Sequence, residues 1–340
     1  MSRQKDLIKY ICVRLALAPI MLWLISSMVF LLLRIAPGDP VDVILGTRAN
    51  EEAREILRTK LGLDQSISSQ YIQFIKSLVT GDLGDSLNTQ SEPVKTIIAK
   101  ALPASLELGL IALLIAISIG LAVGFLGVKK PEGKVDLAGR LYGISTYALP
   151  PFWVAILVQL LFAVTLGWLP IGGRFPPSLQ QPIGSGFLLI DSLISQDWQA
   201  LQGAIRHLVL PASTLGILLS GIFSRSLRVN LEKTLHLGYI EAATSRGIAK
   251  RRILLKHALP NALLPVLTIG GLTIASLVGG ALLIEVTFSW PGIAVGLQDA
   301  INQRDYPVVQ GIVLTIAGIV VIISLVVDIL IALIDPRVRY

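Results

Sequence analysis

Six long runs of apolar residues constrain this chain more than any other feature. They cover residues 11–33, 105–128, 141–166, 208–227, 262–288 and 308–334. Each is long enough for a helix that crosses a bilayer, which needs roughly 20 mostly apolar residues. Only 15% of the residues are charged, against about 25% in soluble domains, which excludes most soluble proteins and a disordered chain. The sequence therefore predicts an all-α membrane protein with six transmembrane helices.

The first apolar run predicts a retained anchor and sets the division of the chain. It follows Arg3, Lys5 and Lys9, as the core of a signal peptide would. It is, however, longer than the roughly 7–15 apolar residues of a signal peptide and has no convincing cleavage site. The predicted parts are an N-terminal segment with the first transmembrane helix (1–34), an extracytoplasmic segment with short helices (35–102) and a core with five transmembrane helices (103–340), which contains the segment 238–260.

The distribution of lysine and arginine predicts the orientation in the membrane. Six spans put both termini on one side, which carries 18 Lys and Arg in 69 residues, whereas the other side carries 11 in 128. A high density of basic residues near the spans marks the cytoplasmic side. Both termini are therefore predicted to be cytoplasmic. Trp168 and Trp290 fall at predicted outer ends, where an amphipathic ring suits the headgroup layer.

Two segments outside the spans carry local signals. Asn50 followed by three glutamates predicts a capped helix, with Gly62 as its stop, and 69–79 predicts a second short amphipathic helix. The segment 170–206 is rich in proline and glycine, which predicts an irregular outer loop. That loop is either a contact for a partner or a plain connector.

The segment 238–260 predicts a compact knob on the cytoplasmic side. Residues 239–246 suit one short helix that stops at Gly247, with Glu241 placed favourably against the helix dipole. Residues 249–258 suit a second helix, which Pro260 ends. The alternative is a basic linker held to anionic lipid at the membrane surface.

The same segment resembles the signature loop of ATP-binding-cassette (ABC) importer permeases. In that loop Glu-Ala-Ala is followed by three residues, Gly, nine residues, an apolar residue, any residue and Leu-Pro. The matching residues, at the same spacing, are Glu241, Ala242, Ala243, Gly247, Leu259 and Pro260. His257 departs from the pattern, because the family commonly has Ile there.

Five further motifs narrow the resemblance to the permeases of dipeptide, oligopeptide and nickel importers. They are Pro-Gly-Asp-Pro at 37–40, Gly-Asp-Leu-Gly at 81–84, Phe-Ser-Trp-Pro-Gly at 288–292, Arg-Asp-Tyr-Pro-Val-Val-Gln-Gly at 304–311 and Asp-Pro-Arg at 335–337. They lie in order across nearly the whole chain. The long outer segment after the first span resembles that of the B-type subunit among the two permeases of such systems.

The resemblance implies a function and a set of partners. It implies a permease subunit in the bacterial plasma (inner) membrane that translocates di- or oligopeptides, with nickel, glutathione or oligosaccharide as alternative cargo. The implied partners are a second homologous permease (C-type), two ABC ATPases, an extracytoplasmic substrate-binding protein and membrane lipid, with no nucleic acid. ATP and Mg²⁺ would belong to the ATPases, since this chain has no phosphate-binding loop, and neither a metal nor another cofactor is expected in it.

The resemblance also implies that the Glu-Ala-Ala loop forms a helix that couples the ATPases to the spans. The alanines would allow close approach of another surface, and Gly247 would permit the sharp turn. For the translocation path or a gate, the fifth span offers a stripe of small residues and one acid: Gly271, Ser276, Gly279, Gly280 and Glu285. Plain packing within one subunit is the alternative for the glycines.

Charged residues and prolines inside the spans carry further expectations. Asp328 is expected to form a structural pair with Arg225 or Arg228, and Glu107 is expected to be paired in the same way. Pro150-Pro151 and Pro211 are expected to break or kink their helices, either to line a cavity or as static kinks.

Two other classes of function fit the sequence less well. An intramembrane enzyme would need paired acids, a Ser/His arrangement or metal ligands at membrane depth, and none stands out in the sequence. An ATP-independent channel or secondary carrier would favour central charges or inverted repeats, and would leave the cytoplasmic knob without a purpose.

Overall fold

The computed structural model describes residues 2–35, 40–45, 50–60, 62–88, 92–129 and 133–334. In these ranges the helices are α1 (Ser2–Ile35), α2 (Pro40–Leu45), α3 (Glu51–Lys60), α4 (Ile67–Val79), α5 (Val94–Lys129), α6 (Lys134–Ala148), α7 (Pro151–Val158), α8 (Leu188–Ile194), α9 (Trp198–Leu235), α10 (Gly238–Ser245), α11 (Lys250–Arg252), α12 (Leu259–Gly280), α13 (Leu282–Thr287), α14 (Ile293–Asn302) and α15 (Tyr306–Ile334). Two π-helical segments, Gln159–Thr165 and Ile253–Ala258, continue α7 and α11. Residues 37–39 and 335–337 of the predicted motifs lie outside the described residues.

The predicted all-α architecture with six spans is confirmed, with one span in two pieces. Among the described residues five helical stretches are long and apolar enough to cross a membrane: Tyr10–Ile35, Val94–Lys129, Trp198–Leu235, Lys250–Ile274 and Tyr306–Leu330. The sixth is the pair Lys134–Ala148 and Pro151–Thr165, whose axes are bent by 102°. Helices suit this environment because each satisfies its own backbone hydrogen bonds without water.

The first and last spans lie side by side and antiparallel. Arg14 forms an ion pair of 2.9 Å with Asp328 near one end of the pair, and the guanidinium of Arg34 lies 4.7 Å from the ring centre of Tyr306 near the other. The start of α1 and the end of α15 are therefore at the same end of the bundle. We call this end the terminal face and the other end the opposite face.

The centre of the bundle is a close contact between α5 and α9. A Cβ atom on Gly120 would lie 2.6 Å from the carbonyl oxygen of Ser220, and one on Gly124 would lie 2.7 Å from that of Ser224. The two backbones therefore touch, which only small residues allow. Buried apolar side chains such as Leu108 and Phe223 pack on both sides of this contact.

The break in the third span follows from its two prolines. Leu149 and Pro150 have extended backbones, with ψ 128° and 127°, and Pro151 opens α7. A residue before proline avoids the helical region, and proline has no N–H to continue a helix, so two in a row separate the span into two helices. The predicted break is confirmed here. At Pro211 the helix is not broken, since α9 runs through that residue, and a kink there stays a prediction.

The fifth span departs from its predicted limits at both ends. The predicted stop at Pro260 is wrong, because α11, the π segment and α12 form one continuous helical rod. The N–H of Leu259 donates to the carbonyl oxygen of Leu254, five residues back. This wider turn makes room for the ring of Pro260, which would otherwise clash with the carbonyl four residues earlier. Near the opposite face, α12 ends at Gly280 before the short α13.

The segments outside the spans contain more helix than the sequence predicts. Asn50 caps α3 through a bond of 3.0 Å from the N–H of Ala53 to its side-chain oxygen, and Gly62 has φ +66°, as predicted for the stop. The second predicted helix is α4. The segment 170–206 is not irregular throughout, because α8 and the first residues of α9 occupy its second half.

Candidate functional site

The loop with the Glu-Ala-Ala motif folds as a short helix that ends at a left-handed glycine. Gly247 follows α10 with φ +73°. The N–H groups of Gly247 and Ile248 donate to the carbonyl oxygens of Thr244 (2.9 Å) and Ala243 (3.2 Å). This pattern is the Schellman ending, in which glycine fits because it has no Cβ. The predicted stop at Gly247 is therefore confirmed.

The two faces of α10 differ in exposure. Ile240 and Ala243 are 4% and 7% exposed and belong to the main apolar core. Glu241, Ala242 and Gly247 are exposed. The helix is thus fixed to the bundle by one face and presents an acid and a small residue on the other, a surface that another protein can approach closely.

A small polar cluster ties α10 to the start of the fifth span. The hydroxyl of Tyr239 donates to the carbonyl oxygen of His257 (3.2 Å) and accepts a bond of 2.9 Å from the amide of Asn261. Asn261 also donates to the carbonyl of His257 (3.0 Å). Leu259 and Pro260 lie within this rod, half-buried and exposed respectively. We call Tyr239, His257 and Asn261 the α10 clasp.

The residues of the small-residue stripe predicted in the fifth span differ in their exposure. Gly271 is buried, and a Cβ atom there would collide with the side chain of Val327 on α15. Ser276 is exposed and donates to the carbonyl of Thr273 at 2.8 Å. Gly279 and Gly280 form the last residues of α12. The role of these positions in the path stays a prediction.

Glu285 is fully buried near the opposite face, where it holds the start of α14. Its carboxylate accepts bonds from the hydroxyl of Ser105 on α5 and from the N–H groups of Ala294 and Val295, both at 3.2 Å. The hydroxyl of Ser105 in turn accepts a bond of 2.7 Å from the N–H of Ile293. The acid thus satisfies the donors that begin a helix and joins α5, α13 and α14.

Glu107 is also buried, and it is paired as predicted, with a partner from the loop after the third span. Its carboxylate is 2.7 Å from the guanidinium of Arg174, and their side chains are 6% and 10% exposed. The carboxylate of Glu107 also accepts a hydrogen bond of 2.8 Å from the N–H of Leu189. The guanidinium of Arg174 lies 5.9 Å from the ring centre of Trp290. We call Ser105, Glu107, Arg174, Glu285 and Trp290 the anchor cluster.

Two further acids fasten loops on the opposite face. Asp191 accepts bonds from the N–H and hydroxyl of Ser185 and from the N–H of Gly186, at 2.8 to 2.9 Å. Burial alone would raise the pKa of Asp191, but these bonds and the charge of Arg174 together lower it below its ordinary value. The carboxylate of Asp305 accepts hydrogen bonds from the hydroxyl of Ser86 and from the N–H of Leu87 (3.1 Å). These bonds join the motif at 304–311 to the residues that follow Gly-Asp-Leu-Gly.

On the terminal face the ion pairs differ from the expectation for Asp328. Its partner is Arg14 of the first span, not Arg225 or Arg228. Arg228 instead lies 3.0 Å from the buried carboxylate of Asp136 on α6, because α6 runs alongside α9 and brings Asp136 to it. Sequence position alone did not reveal which helices are neighbours, so it could not choose between these partners.

The sequence interpretation missed Tyr239, Asn261 and Arg174. A signal existed for Arg174, since an arginine in a proline- and glycine-rich loop needs a partner if it is buried. Within the described ranges no group of three or more His, Cys, Asp or Glu residues is placed to hold a metal ion.

Comparison with known proteins places this geometry in a family. Residues 112–340 match the profile of the binding-protein-dependent transport system inner membrane component, and residues 7–109 match that of its N-terminal membrane component. A solved structure of the MetNI methionine ABC transporter in an inward-facing conformation has the same fold over 72% of this chain and 99% of its own, with a TM-score of 0.54 and 18% identity.

Relatives from three bacteria match over nearly their whole length. The di/tripeptide transport system permease protein DppB of Pseudomonas aeruginosa is 38% identical over 93% of this chain and 94% of its own. DppB of Escherichia coli K12, a dipeptide permease, is 35% identical, and the oligopeptide permease AppB of Bacillus subtilis is 34% identical, each with the same coverage. The chain therefore belongs to the family of inner membrane components of binding-protein-dependent transport systems, and it is a multi-pass membrane protein.

Proposed function

We propose that this chain is the membrane-spanning permease of an ABC importer for di- or oligopeptides. The observation that carries the proposal is α10, a short helix on the terminal face with Glu241 and Ala242 exposed and a fixed ending at Gly247. Relatives that match almost the whole chain are named as dipeptide, tripeptide and oligopeptide permeases, which supports peptides as the cargo.

The proposed complex contains this chain, a second homologous permease of the C type, two ABC ATPases and an extracytoplasmic binding protein. ATP and Mg²⁺ are handled by the ATPases, and this chain acts as a transport subunit without an ATPase site of its own. The terminal face is cytoplasmic, in keeping with the high density of Lys and Arg there. The binding protein meets the opposite face, where α3, α4 and the segment 170–206 lie.

In this proposal α10 moves with the ATPases and carries the fifth span with it. The buried Ile240 and Ala243 fix one face of α10 to the core, and the α10 clasp fixes its start to the helical rod that becomes α12. Closure of the ATPases on ATP would displace α10 as a unit, and the rod would transmit that displacement to the membrane.

The test is peptide uptake by the chain in its native membrane, with all partners present. We expect Glu241→Lys and Gly247→Pro to abolish ATP-dependent uptake of a radiolabelled dipeptide while normal amounts of protein remain in the membrane. Lysine reverses the exposed charge, and proline cannot adopt the positive φ at 247.

Glu52→Lys is the matched control, because it makes the same change in the exposed first turn of α3 on the opposite face. Gentle purification of the tagged chain should also recover two ATPases and a second permease, and both variants should weaken that association. Unchanged uptake in both variants, or recovery of the chain alone with uptake that needs no ATP, would contradict the proposal.

A further inference from the structure

A cavity lies on the opposite face, where the first and last spans end. It has a volume of about 270 Å³, and its walls come from α1, α4, the residues after α4 and the start of α15. Two of the motifs found in the sequence supply part of these walls, namely Gly-Asp-Leu-Gly at 81–84 and the motif at 304–311. One water takes up roughly 30 Å³, so the cavity has room for a larger polar group.

Arg34, at the end of the first span, is held in the wall of this cavity by three elements. Its guanidinium lies 4.9 Å from the ring centre of Phe30 on α1 and 4.7 Å from that of Tyr306 on α15. Its Nε donates to the side-chain oxygen of Gln70 on α4 at 2.7 Å. The ring of Phe74 stacks on Phe30 at 5.4 Å and holds α4 in place. These contacts fix the guanidinium but do not neutralise it.

Arg34 has no anionic partner in the part of the chain that the structure describes. None of the ion pairs there includes it, although Asp82 lines the same cavity. Its Nη1 is buried without an acceptor, and so is the amide nitrogen of Gln310, a cavity residue that is 9% exposed. Buried donors and charges without partners are costly, so the site favours a ligand that brings anionic oxygens.

The cavity lies at the depth of the lipid headgroups. Arg34 is in the last turn of the spanning stretch Tyr10–Ile35, and the last span begins at Tyr306. Few residues of these two spans are buried within the chain. The neighbouring α4 exposes apolar side chains, with Ile72 at 66% and Val79 at 83% exposure. A helix of this kind lies at the boundary between headgroups and acyl chains.

We propose that this cavity binds the headgroup of an aminophospholipid, phosphatidylethanolamine. The phosphodiester would take hydrogen bonds from the guanidinium of Arg34 and the amide of Gln310, since a guanidinium matches the geometry of a phosphate. The ammonium would meet Asp82, whose side chain is exposed at the rim. Such a headgroup carries one charge for each of the two charged residues, which line one cavity without pairing with each other.

This site goes beyond the proposed function and does not depend on its cargo. Inorganic phosphate shares the anionic oxygens but has no ammonium, and a dipeptide carries both charges but no acyl chains. The position of the cavity between the ends of two lipid-exposed spans favours the lipid. A bound headgroup would join α1, α4 and α15 through the oxygens that Arg34 and Gln310 lack.

The test is a lipid titration of the tagged chain, purified with its partners, stripped of lipid in detergent and followed by native mass spectrometry. We expect dioleoyl phosphatidylethanolamine to bind severalfold more tightly than dioleoyl phosphatidylglycerol, which has no ammonium. Arg34→Gln should weaken the first binding event about tenfold, as expected for a lost charge-assisted hydrogen bond. Arg54→Gln is the matched control, since that arginine on the same face already pairs with Asp42 at 2.9 Å.

Asp82→Asn tests the ammonium contact and keeps the proposal testable if Arg34→Gln does not assemble. Asp82 is exposed, and asparagine can still accept the N–H of Gly84, which Asp82 accepts at 2.9 Å. This variant should bind phosphatidylethanolamine severalfold more weakly and phosphatidylglycerol no more weakly than the native chain.

Three results would overturn the proposal. The first is equal affinity for phosphatidylethanolamine in Arg34→Gln and Arg54→Gln. The second is equal affinity of the native chain for the two lipids. The third is displacement of the bound lipid by excess inorganic phosphate or by a dipeptide, which would assign the site to that ligand. Peptide uptake is not part of the measurement, so failure here leaves the proposed function standing.

Discussion

Two glutamates on the opposite face and one on the terminal face differ sharply in their surroundings. In the anchor cluster on the opposite face, Glu107 and Glu285 are buried and bind donors from distant segments. On the terminal face, Glu241 is exposed on a helix that is held by its other side. In sequence Glu107 and Glu285 lie within apolar runs, whereas Glu241 lies in the segment between two of them. The comparison teaches that the two buried glutamates hold distant segments together as a frame, whereas Glu241 is exposed and, under the proposed function, is available to a partner.

If this contrast is right, damage to the anchor cluster should reduce stability, whereas damage around α10 should reduce transport by a chain that is still folded. The largest effect is expected for Glu285→Ala. The substitution leaves three donors without this acceptor, two of them buried and the N–H of Val295 partly buried, and a buried donor left unpaired costs on the order of 1–3 kcal/mol. We expect a much lower thermal unfolding midpoint in detergent and less protein in the membrane.

Glu285→Gln is the matched control for that change, since its carbonyl oxygen still accepts hydrogen bonds in the same volume. It should unfold at a temperature between those of the native chain and Glu285→Ala. If Glu285→Ala unfolded at the same temperature as the native chain, the acid would not be part of the frame. That result would favour the gate role predicted from the sequence.

The next largest effect is expected for Arg174→Ala. Removing one partner of a buried ion pair leaves the Glu107 carboxylate uncompensated, which costs about 3–5 kcal/mol. Trp290 fluorescence should also shift, because its ring is 1% exposed and lies beneath the guanidinium. The measurement is thermal unfolding followed by tryptophan emission.

Lys100→Ala supplies the control for Arg174→Ala, since the pair of Lys100 with Glu92 is 2.6 Å long but the lysine side chain is 70% exposed. Exposed pairs contribute about 0–1 kcal/mol. Equal losses of stability in the two variants would mean that burial does not distinguish the two ion pairs, and the proposed rigid frame would lose its basis.

A smaller effect on stability, with a specific effect on coupling, is expected at the clasp. Tyr239→Phe removes the hydroxyl that bonds His257 and Asn261, and an exposed hydrogen bond contributes about 0.5–1.5 kcal/mol. We expect near-native amounts of complex and near-native basal ATP hydrolysis. The number of ATP molecules hydrolysed per dipeptide imported should rise severalfold.

Tyr142→Phe is the matched control for the clasp, because it removes a tyrosine hydroxyl bonded between α6 and α9 rather than between α10 and the fifth span. It should leave the ratio of ATP to peptide nearer the native value. A normal ratio in Tyr239→Phe, together with normal uptake, would show that α10 transmits its motion through the buried Ile240 and Ala243 alone.

The sequence predicted elements whose cause is local and missed those whose cause is distant. The stop at Gly247, the cap at Asn50 and the break at Pro150-Pro151 were predictable, because each depends on backbone chemistry within a few residues. The partner of Asp328 was not predictable, because Arg14 lies more than 300 residues away in the sequence. Arg14 also bonds Ser324, which lies one turn before Asp328, across a separation of 310 residues. Pairings of this kind depend on which helices pack together.

Trp290 and Pro260 show the same limit for single residues. The tryptophan was expected in the headgroup layer, yet its indole N–H donates to the carbonyl of Ala104 at 2.9 Å inside the anchor cluster. Proline was expected to end a helix, but a π segment before it lets the rod continue. The Glu-Ala-Ala motif predicted the position of α10, whereas the hydrogen bonds of the clasp that hold it depend on residues brought together by the packing of the helices.

The smallest effect expected within the frame is a pH dependence at Asp191. The hydrogen bonds from Ser185 and Gly186 and the charge of Arg174 lower the pKa of this carboxyl below the ordinary value of about 3.9, despite its burial. A carboxyl with a lowered pKa stabilises the folded state fully above the unfolded pKa, and this contribution is lost as the pH falls through the folded pKa. Stability should therefore be constant near neutral pH and fall below about pH 4.

Asp191→Asn should lose that stability at pH 7 and show a smaller further loss on acidification, measured as unfolding midpoints in detergent across the range. A native chain and an Asn variant with parallel pH profiles would show that Asp191 does not fasten the loop through its charge, which would leave Glu107 and Glu285 as the charged residues of the frame.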